Sequence, residues 1–328
     1  MQNAKEKMRN VKVAAVYFGN VRCVENIPKM LIWPLLLTAC VQLFGQPILI
    51  RGQLVDTRGT PIPFGTVEIR HPDHGTGVAA NESGEFAFSV PPERTADTLL
   101  ISALGFDPKK IPIREVVRNK PLKIVLAARI FEMEEVVVRP SASKGTMELG
   151  HSRMTPEIYG GMHAEQLTQI GVWMDNPAGQ SGMLQTISFF ITRSGKPRSP
   201  FRVRIYAAEG DPVTVGEDML TESLIFEPAK KGAWNTLDVS GYRIPFPEKG
   251  LFVAIEYIYT KKKFEYKTVI GDHIYADYGV VLGCTWEYAI PRSYLNYLGK
   301  GWKLWYDPGT PFGLPNPRNA LIKITVSY

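Results

Sequence analysis

Aromatic side chains in the carboxyl-terminal part of the chain are the residues best suited to contact a ligand. Tyrosine and tryptophan are concentrated between Tyr257 and Tyr306, and we single out Trp286, Trp302, Trp305 and Tyr306. Aromatic rings on a sheet surface can stack on sugar rings, so the set predicts a glycan-binding platform. The alternative is structural, because aromatic residues also favour strands and fill the cores of sandwiches. Exposed rings would indicate a platform, and buried rings a core.

Residues that could catalyse a reaction form no recognised pattern. The nucleophile elbow G-x-S-x-G, the zinc motif H-E-x-x-H, the P-loop and the dinucleotide fingerprint G-x-G-x-x-G are absent from the sequence. Asp272, Asp277 and Glu287 are close in sequence, and a glycosidase needs only two carboxylates at a suitable separation. We predict a protein that is not an enzyme and binds no cofactor; a hydrolase with an unrecognised carboxylate pair is the alternative.

Histidine and cysteine indicate neither a metal site nor a disulfide framework. Four histidines lack supporting ligands at metal-binding spacing and are predicted to be exposed loop residues: His71, His74, His151 and His163. Cys23 and Cys40 lie near the amino terminus, which leaves Cys284 as a predicted small, buried apolar residue.

The positive charge is concentrated in the first 45 residues. The whole chain has 38 basic and 32 acidic residues, a net charge of +6. The first 45 residues contain six of the basic and two of the acidic ones, so 32 basic and 30 acidic residues remain. A net charge of +2 gives no argument for binding nucleic acid or an anionic membrane. The run Lys261–Lys263 is predicted to be a solvated turn, with contact to phosphate-bearing glycans as the alternative.

Residues 1–46 are predicted to be a signal-peptide region. An apolar run of about 14 residues follows basic residues and ends near Gly45, too short to span a bilayer but typical of a signal-peptide core. The preceding segment is long for a leader, so Met8 and Met30 are alternative starts. Leu37–Cys40 resembles a lipobox, in which Cys40 would be lipidated. A retained anchor is the third alternative. Simple secretion and lipidation both place the protein in the periplasm, at the outer-membrane surface or outside the cell.

Residues 47–138 show the pattern of a small β-sandwich. Short alternating strands are separated by turn residues, notably Thr57–Pro61 and Asn81–Gly84. Predicted strands cover 48–56, 64–70, 86–90, 98–104, 110–113, 122–126 and 136–138. Strands at roughly ten-residue spacing indicate a sandwich.

These residues also carry a family resemblance. Gly52, Asp56, Gly59 and Pro61–Pro63, followed by Gly84, Phe86 and Ile101–Phe106, resemble the carboxypeptidase-regulatory-like domain. That resemblance implies a transthyretin-like β-sandwich, common in envelope proteins of Bacteroidota, and a non-catalytic role. No histidine here is followed three residues later by glutamate, so the zinc pair of a carboxypeptidase is absent.

A linker is predicted at 139–160. The residues that follow, 161–328, are predicted to form a larger antiparallel β-sandwich, jelly-roll-like in architecture. Phe201 to Ala208 alternates clearly, which places Phe201, Val203 and Ile205 on one face. The other face, with Arg202, Arg204 and Tyr206, is predicted to be solvated, with contact between the arginines and a ligand as the alternative. This half resembles an uncharacterised carboxyl-terminal β-sandwich domain of Bacteroidota proteins, which implies no activity.

The functional prediction is a non-catalytic, exported envelope protein that acts as a structural or interaction module. Its expected partner is an envelope protein or a glycan, and nucleic acid is not expected. Contact with a membrane is expected only through a lipid anchor or a retained leader.

Overall fold

The structure is a computed structural model that describes residues 47–69, 75–116, 120–129, 145–152, 158–160, 167–259, 261–270, 272–285, 292–297, 301–307, 316–317 and 319–328. Within these residues every regular element is a β-strand or a three-residue 3-10 helix, which confirms the predicted all-β class. The 3-10 helices are Pro92–Arg94, Ile113–Glu115, Ser240–Tyr242 and Lys262–Phe264. The leader and Cys40 lie outside the described residues.

The first β-sandwich consists of two small sheets. Its strands are β1 (Ile48–Val55), β2 (Thr66–Ile69), β3 (Thr76–Ala79), β4 (Glu85–Val90), β5 (Thr98–Ser102), β6 (Lys109–Pro112) and β7 (Leu122–Val125). One sheet has the order β4-β1-β7, with β1 and β7 parallel, and the other has the order β3-β2-β5-β6. Alternate residues of both sheets, such as Ile50, Val67 and Ile101, form the buried core between them.

Side-chain hydrogen bonds stabilise the two predicted turns of this sandwich. The Asp56 carboxylate accepts hydrogen bonds from the backbone N–H groups of Arg58 and Thr60, each at 2.8 Å. Asn81 Oδ1 accepts equivalent bonds from two later residues of its own turn. Gly84 ends the second turn with φ +72°, and a Cβ there would lie 2.5 Å from the Leu54 carbonyl oxygen. Only glycine fits that position without strain.

The second β-sandwich contains the remaining strands. They are β8 (Thr146–Gly150), β9 (Ile158–Gly160), β10 (Gln169–Met174), β11 (Gly182–Gly195), β12 (Phe201–Glu209), β13 (Thr214–Asp218), β14 (Leu224–Phe226), β15 (Ala233–Asp238), β16 (Pro245–Phe246), β17 (Leu251–Glu256), β18 (Glu265–Ile270), β19 (His273–Tyr278), β20 (Val280–Thr285), β21 (Ser293–Tyr297), β22 (Gly301–Leu304), β23 (Tyr306–Asp307), β24 (Asn316–Pro317), β25 (Asn319–Ala320) and β26 (Ile322–Ser327).

Two large antiparallel sheets enclose the core of this sandwich. The front sheet has the order β13-β12-β17-β10-β21-β22, with β14 paired to β12. The back sheet has the order β25-β20-β11-β26-β8, with β15 and β16 on β11 and β9 on β20. Phe189, Phe201 and Val253 are among the fully buried residues between them, and Cys284 is buried there as predicted. Two short pairs, β18–β19 and β23–β24, lie outside both sheets.

The structure changes one boundary expected from the sequence. The predicted linker at 139–160 contains β8 and β9, and β8 pairs along its whole length with β26. The apolar pattern missed β8 because it lies at the edge of the back sheet with its first three residues exposed. Gly279, whose φ is +84°, separates β19 from β20.

The two sandwiches pack against each other within one compact unit, residues 47–328. Phe64 and Ala79 of the first sandwich form an apolar cluster with Leu167, Ile225 and Ile258 of the second. Ile258 is completely buried in this cluster. Among the described residues, no helix has the length and hydropathy to cross a membrane.

Candidate functional site

The outer face of the front sheet presents a layer of aromatic side chains. Core residues alternate with outward residues along each of its strands, since Ile170, Val172 and Met174 of β10 point into the core. The outward side chains from five neighbouring strands form one cluster, which we call the aromatic face: Trp173, Tyr206, Phe252, Tyr294 and Trp302.

The aromatic face has a buried floor and a partly accessible upper layer. Phe252 is completely buried and Tyr206 is 7% exposed, whereas Trp173, Tyr294 and Trp302 are half-buried. Phe252 meets Tyr294 edge-to-face at 5.2 Å, and Tyr206 meets Trp302 at 5.5 Å. These T-shaped contacts hold the upper rings in place on the sheet.

A glycine makes room for Trp302 on this face. A Cβ on Gly171 would lie 3.1 Å from Cζ3 of Trp302 and 3.2 Å from its Cη2. The six-membered ring of the indole therefore rests against the sheet backbone at this position. Such close contact orients the ring and reduces its mobility, which lowers the entropy lost when a ligand binds.

Polar groups lie at the margin of the aromatic face. Arg292 lies over the Trp173 ring at 5.9 Å and forms an ion pair with Asp175. The Trp173 Nε1–H group donates to the Lys249 carbonyl oxygen at 3.2 Å. Asn296 is half-buried and lies directly opposite Trp302 in the β21–β22 pairing. An apolar surface with a few oriented polar groups is the usual composition of a ligand site.

A buried group of charges, the arginine cluster, adjoins the aromatic face on the same side of the sheet. It consists of Arg202 and Arg204 on β12, Asp218 on β13 and Glu256 on β17. Glu256 lies 3.1 Å from Nη1 of Arg202 and 3.6 Å from Nε of Arg204. Asp218 lies 2.9 Å from the same Nε. Two positive and two negative groups therefore balance one another.

Tyr206 connects the arginine cluster to the aromatic face. Its hydroxyl accepts a hydrogen bond from Arg204 Nε at 3.0 Å and donates one to Gln169 Oε1 at 2.7 Å. Burial raises the pKa of Tyr206 to about 12, so the hydroxyl keeps its proton and can donate. Burial disfavours the charge of Arg204, but Glu256 and its other partners raise its pKa overall.

The solvated face predicted for Arg202, Arg204 and Tyr206 is wrong. Arg202 is 2% exposed, and its Nη2 group donates to the Phe64 carbonyl oxygen of the first sandwich. The sequence did not show this burial, because the covering residue and Glu256 are distant in the chain. Pairing of β12 with β17 brings Glu256 opposite Arg202, and packing of the two sandwiches brings Phe64 to it.

The predicted platform residues do not form one set. Trp302 belongs to the aromatic face, but Trp305 is 4% exposed and belongs to the core between the sheets, so its predicted ligand contact is wrong. Tyr306 lies in β23, and Trp286 lies outside the described residues. The sequence prediction missed Trp173, Tyr206 and Phe252. Their period-two alternation with buried residues of β10, β12 and β17 was the available signal.

Candidate catalytic and metal residues do not converge among the described residues. Of the three carboxylates considered for a hydrolase, Asp277 is buried and accepts a hydrogen bond from Thr268, whereas Asp272 is exposed. Glu287 lies outside the described residues. His151, predicted to be an exposed loop residue, is 1% exposed, while His71, His74 and His163 lie outside the described residues. In the part of the chain that the structure describes, no group of three or more histidine, cysteine or acidic residues could hold a metal ion.

Comparison with known families explains the first sandwich. Residues 50–138 match the CarboxypepD_reg-like domain. The chain carries a CarboxypepD_reg-like domain. The described strands of this match are β1–β7, and residues 130–138 lie outside the described residues. The CarboxypepD_reg-like domain is regulatory and non-catalytic, which agrees with the absence of a zinc pair from the sequence.

The CarboxypepD_reg-like domain covers the first sandwich only. No curated protein matches the chain. One solved structure that aligns with it is titled "Structure of infectious bursal disease virus Gt strain", with 12% sequence identity and a TM-score of 0.23. The alignment covers 87% of this chain and 63% of the viral chain, which is less than two thirds of the latter.

Proposed function

We propose that this chain is a non-catalytic, exported binding protein of the Bacteroidota cell envelope, which contacts its ligand through the aromatic face. The leader pattern supports export, and the resemblance of the first sandwich supports the envelope. The observation that carries the proposal is the position of Trp173, Tyr294 and Trp302, half-buried on one outward sheet surface. Clustered apolar surface of this kind is typical of interaction sites.

Carbohydrate is the ligand class that suits the aromatic face best. Sugar rings combine apolar C–H faces with hydroxyl groups, so they need flat apolar surface and nearby hydrogen-bonding side chains. Trp302 supplies such a surface with Asn296 beside it, and Arg292 supplies a polar group over the Trp173 ring. The arginine cluster and Gly171 hold the rings in position before any ligand arrives.

A glycan array followed by titration calorimetry tests this function. Trp302→Ala is expected to weaken binding of an identified glycan by about tenfold or more, because the stacking surface is lost. Tyr297→Ala is the matched control: Tyr297 is a comparably accessible aromatic residue, 36% exposed, one residue beyond Asn296 and on the other side of β21. Equal affinity of the Trp302 variant and the wild type would contradict the proposal. Thermal unfolding of each variant checks that it is folded.

An envelope protein is the second candidate ligand, because the aromatic face is also suitable for a protein interface. If no glycan binds, crosslinking from Trp302 in the envelope fraction identifies a protein partner, and loss of that crosslink in Trp302→Ala supports the alternative. A hydrolase receives no such support. Asp218 and Glu256 approach the same arginine, but their side chains are only 12% and 4% exposed and both are charge-compensated, unlike carboxylates that act on a substrate.

A further inference from the structure

The β18–β19 hairpin extends away from the second sandwich and exposes aliphatic side chains near its end. Exposure rises along the hairpin, from Phe264 and Tyr278 at its base, which are 8% and 5% exposed, to Val269 and Ile274, each 67% exposed. Val269 and Ile274 are directly opposite each other in the antiparallel register. Two adjacent aliphatic residues exposed to this extent are costly in water unless another surface covers them.

Exposed lysines accompany this aliphatic pair. Lys267 lies on the same face of the hairpin as Val269, two residues closer to the base. Lys261, Lys262 and Lys263 are exposed in and beside the 3-10 helix that leads into β18. At about 3.4 Å per residue, Lys267 lies roughly 7 Å from the aliphatic pair. Acidic groups are fewer and less available: Glu265 accepts a hydrogen bond from Tyr259 at 2.6 Å, Asp272 is exposed in the turn, and Asp277 is buried near the base.

Tyrosines lie between the aliphatic pair and the base. Tyr266 and Tyr275 are half-buried on the opposite face of the hairpin from Val269. From the end of the hairpin towards the base, the aliphatic pair is followed by Tyr275, then Lys267, then Tyr266. Aliphatic residues at the end with tyrosine and lysine behind them are typical of segments that meet the bilayer interface. A second copy of this chain would bring lysines against lysines, so it fits this surface less well.

We propose that the β18–β19 hairpin docks on an anionic phospholipid surface. Val269 and Ile274 enter the boundary between headgroups and acyl chains, and Lys267 contacts lipid phosphate or carboxylate groups. Interfacial segments are buried about 5–10 Å deep, which matches the distance from the aliphatic pair to Lys267. Lys261–Lys263 add attraction from further away. The net charge of +2 outside the first 45 residues gave no indication of this local arrangement.

Hydrogen–deuterium exchange of the full chain with lipid vesicles tests the proposal. Vesicles of phosphatidylcholine with 30% phosphatidylserine are expected to slow exchange in the peptide covering 265–278 by about fivefold or more. Vesicles of pure phosphatidylcholine are expected to slow this exchange little, and so are the anionic vesicles at high salt, because salt screens the attraction of the lysines to the lipid. Because the peptide is read out separately, binding by the leader does not interfere. Val269→Ser with Ile274→Ser should abolish the protection, and Asp272→Asn should increase it.

The control is Leu49→Ser with Val125→Ser. It changes two aliphatic residues of the first sandwich that are also exposed, at 44% and 41%. This variant should keep the lipid-dependent protection of 265–278. All substituted positions are exposed, and near-ultraviolet circular dichroism checks each fold. Unchanged exchange of the hairpin with anionic vesicles overturns the proposal and favours a protein partner for Val269 and Ile274. Equal protection in the Val269/Ile274 variant overturns it too.

Discussion

His151 follows β8, and its imidazole is buried against the end of the back sheet. Its Nδ1 lies 2.8 Å from the Ala320 carbonyl oxygen, to which it donates. Burial lowers the pKa of His151 from 6.5 to about 4, with a smaller opposing effect from the Ala320 hydrogen bond. The folded protein therefore holds a neutral imidazole at pH values where the unfolded chain carries a charged one.

Acid is expected to destabilise the protein through His151. The unfolded state binds the proton first, so this contribution to stability is complete above pH 6.5 and is lost progressively between about pH 6.5 and 4. The loss amounts to about 3 kcal/mol. Urea unfolding at several pH values should show a weaker pH dependence in His151→Gln than in the wild type. His273→Gln is the control, since His273 is exposed; identical profiles for all three proteins would contradict the prediction.

Pairing between β12 and β17 determines the chemistry of the outer side of the front sheet. The register places Arg202 opposite Glu256 and Tyr206 opposite Phe252. The end of the β12–β17 pair nearest the first sandwich therefore carries charged side chains on its outer face. Further along the same pair, the outward side chains of Tyr206 and Phe252 are aromatic. A shift of one residue would turn these side chains into the core, where neither arginine could be paired. Register thus links the arginine cluster to the aromatic face.

Loss of the Glu256 charge is expected to be strongly destabilising. Glu256→Gln leaves Arg202 and Arg204 with only Asp218 as a counter-charge in a buried site, which costs about 3 kcal/mol or more. Glu148→Gln is the matched control: Glu148 pairs with Lys323 at 2.7 Å but is 49% exposed, so the expected cost is below about 1 kcal/mol. Urea denaturation measures the free energy of unfolding of both variants. Equal losses of that free energy would contradict the prediction that Glu256 compensates the charges of Arg202 and Arg204.

The two sandwiches share buried contacts and are expected to unfold together. Ile258 of the second sandwich is buried in the apolar cluster with Phe64 and Ala79 of the first. The hydrogen bond from Arg202 to the Phe64 carbonyl group adds a polar contact across the same boundary. The CarboxypepD_reg-like domain therefore supports the front sheet directly, and its position affects the surface that carries the aromatic face.

A charge placed in this boundary should separate the two unfolding events. The wild type is expected to show one calorimetric transition, and Ile258→Asp should show two, because an unpaired carboxylate in the apolar cluster costs several kcal/mol. Val269→Asp introduces the same charge at a position that is 67% exposed and should retain one transition. Two transitions in the wild type would show that the sandwiches are not coupled.

Alternation and turn chemistry allowed much of the fold to be predicted. Phe201, Val203 and Ile205 are buried as their spacing predicts, and the turns at Asp56 and Asn81 form where the sequence places them. These features depend on neighbouring residues and on the two-residue period of a strand, so the sequence contains them directly. Edge strand β8 has too few buried residues to produce that period.

Burial of particular side chains was decided by tertiary structure. Trp302 and Trp305 are three residues apart in one aromatic-rich segment, yet Trp302 lies on the outer face and Trp305 in the core. The sequence determined the all-β class, the first domain and the supply of aromatic residues. Strand register and packing of the two sandwiches decided which rings remain accessible and that Arg202 is buried. Those decisions depend on contacts between residues far apart in the chain, such as Arg202 with Phe64 and Glu256.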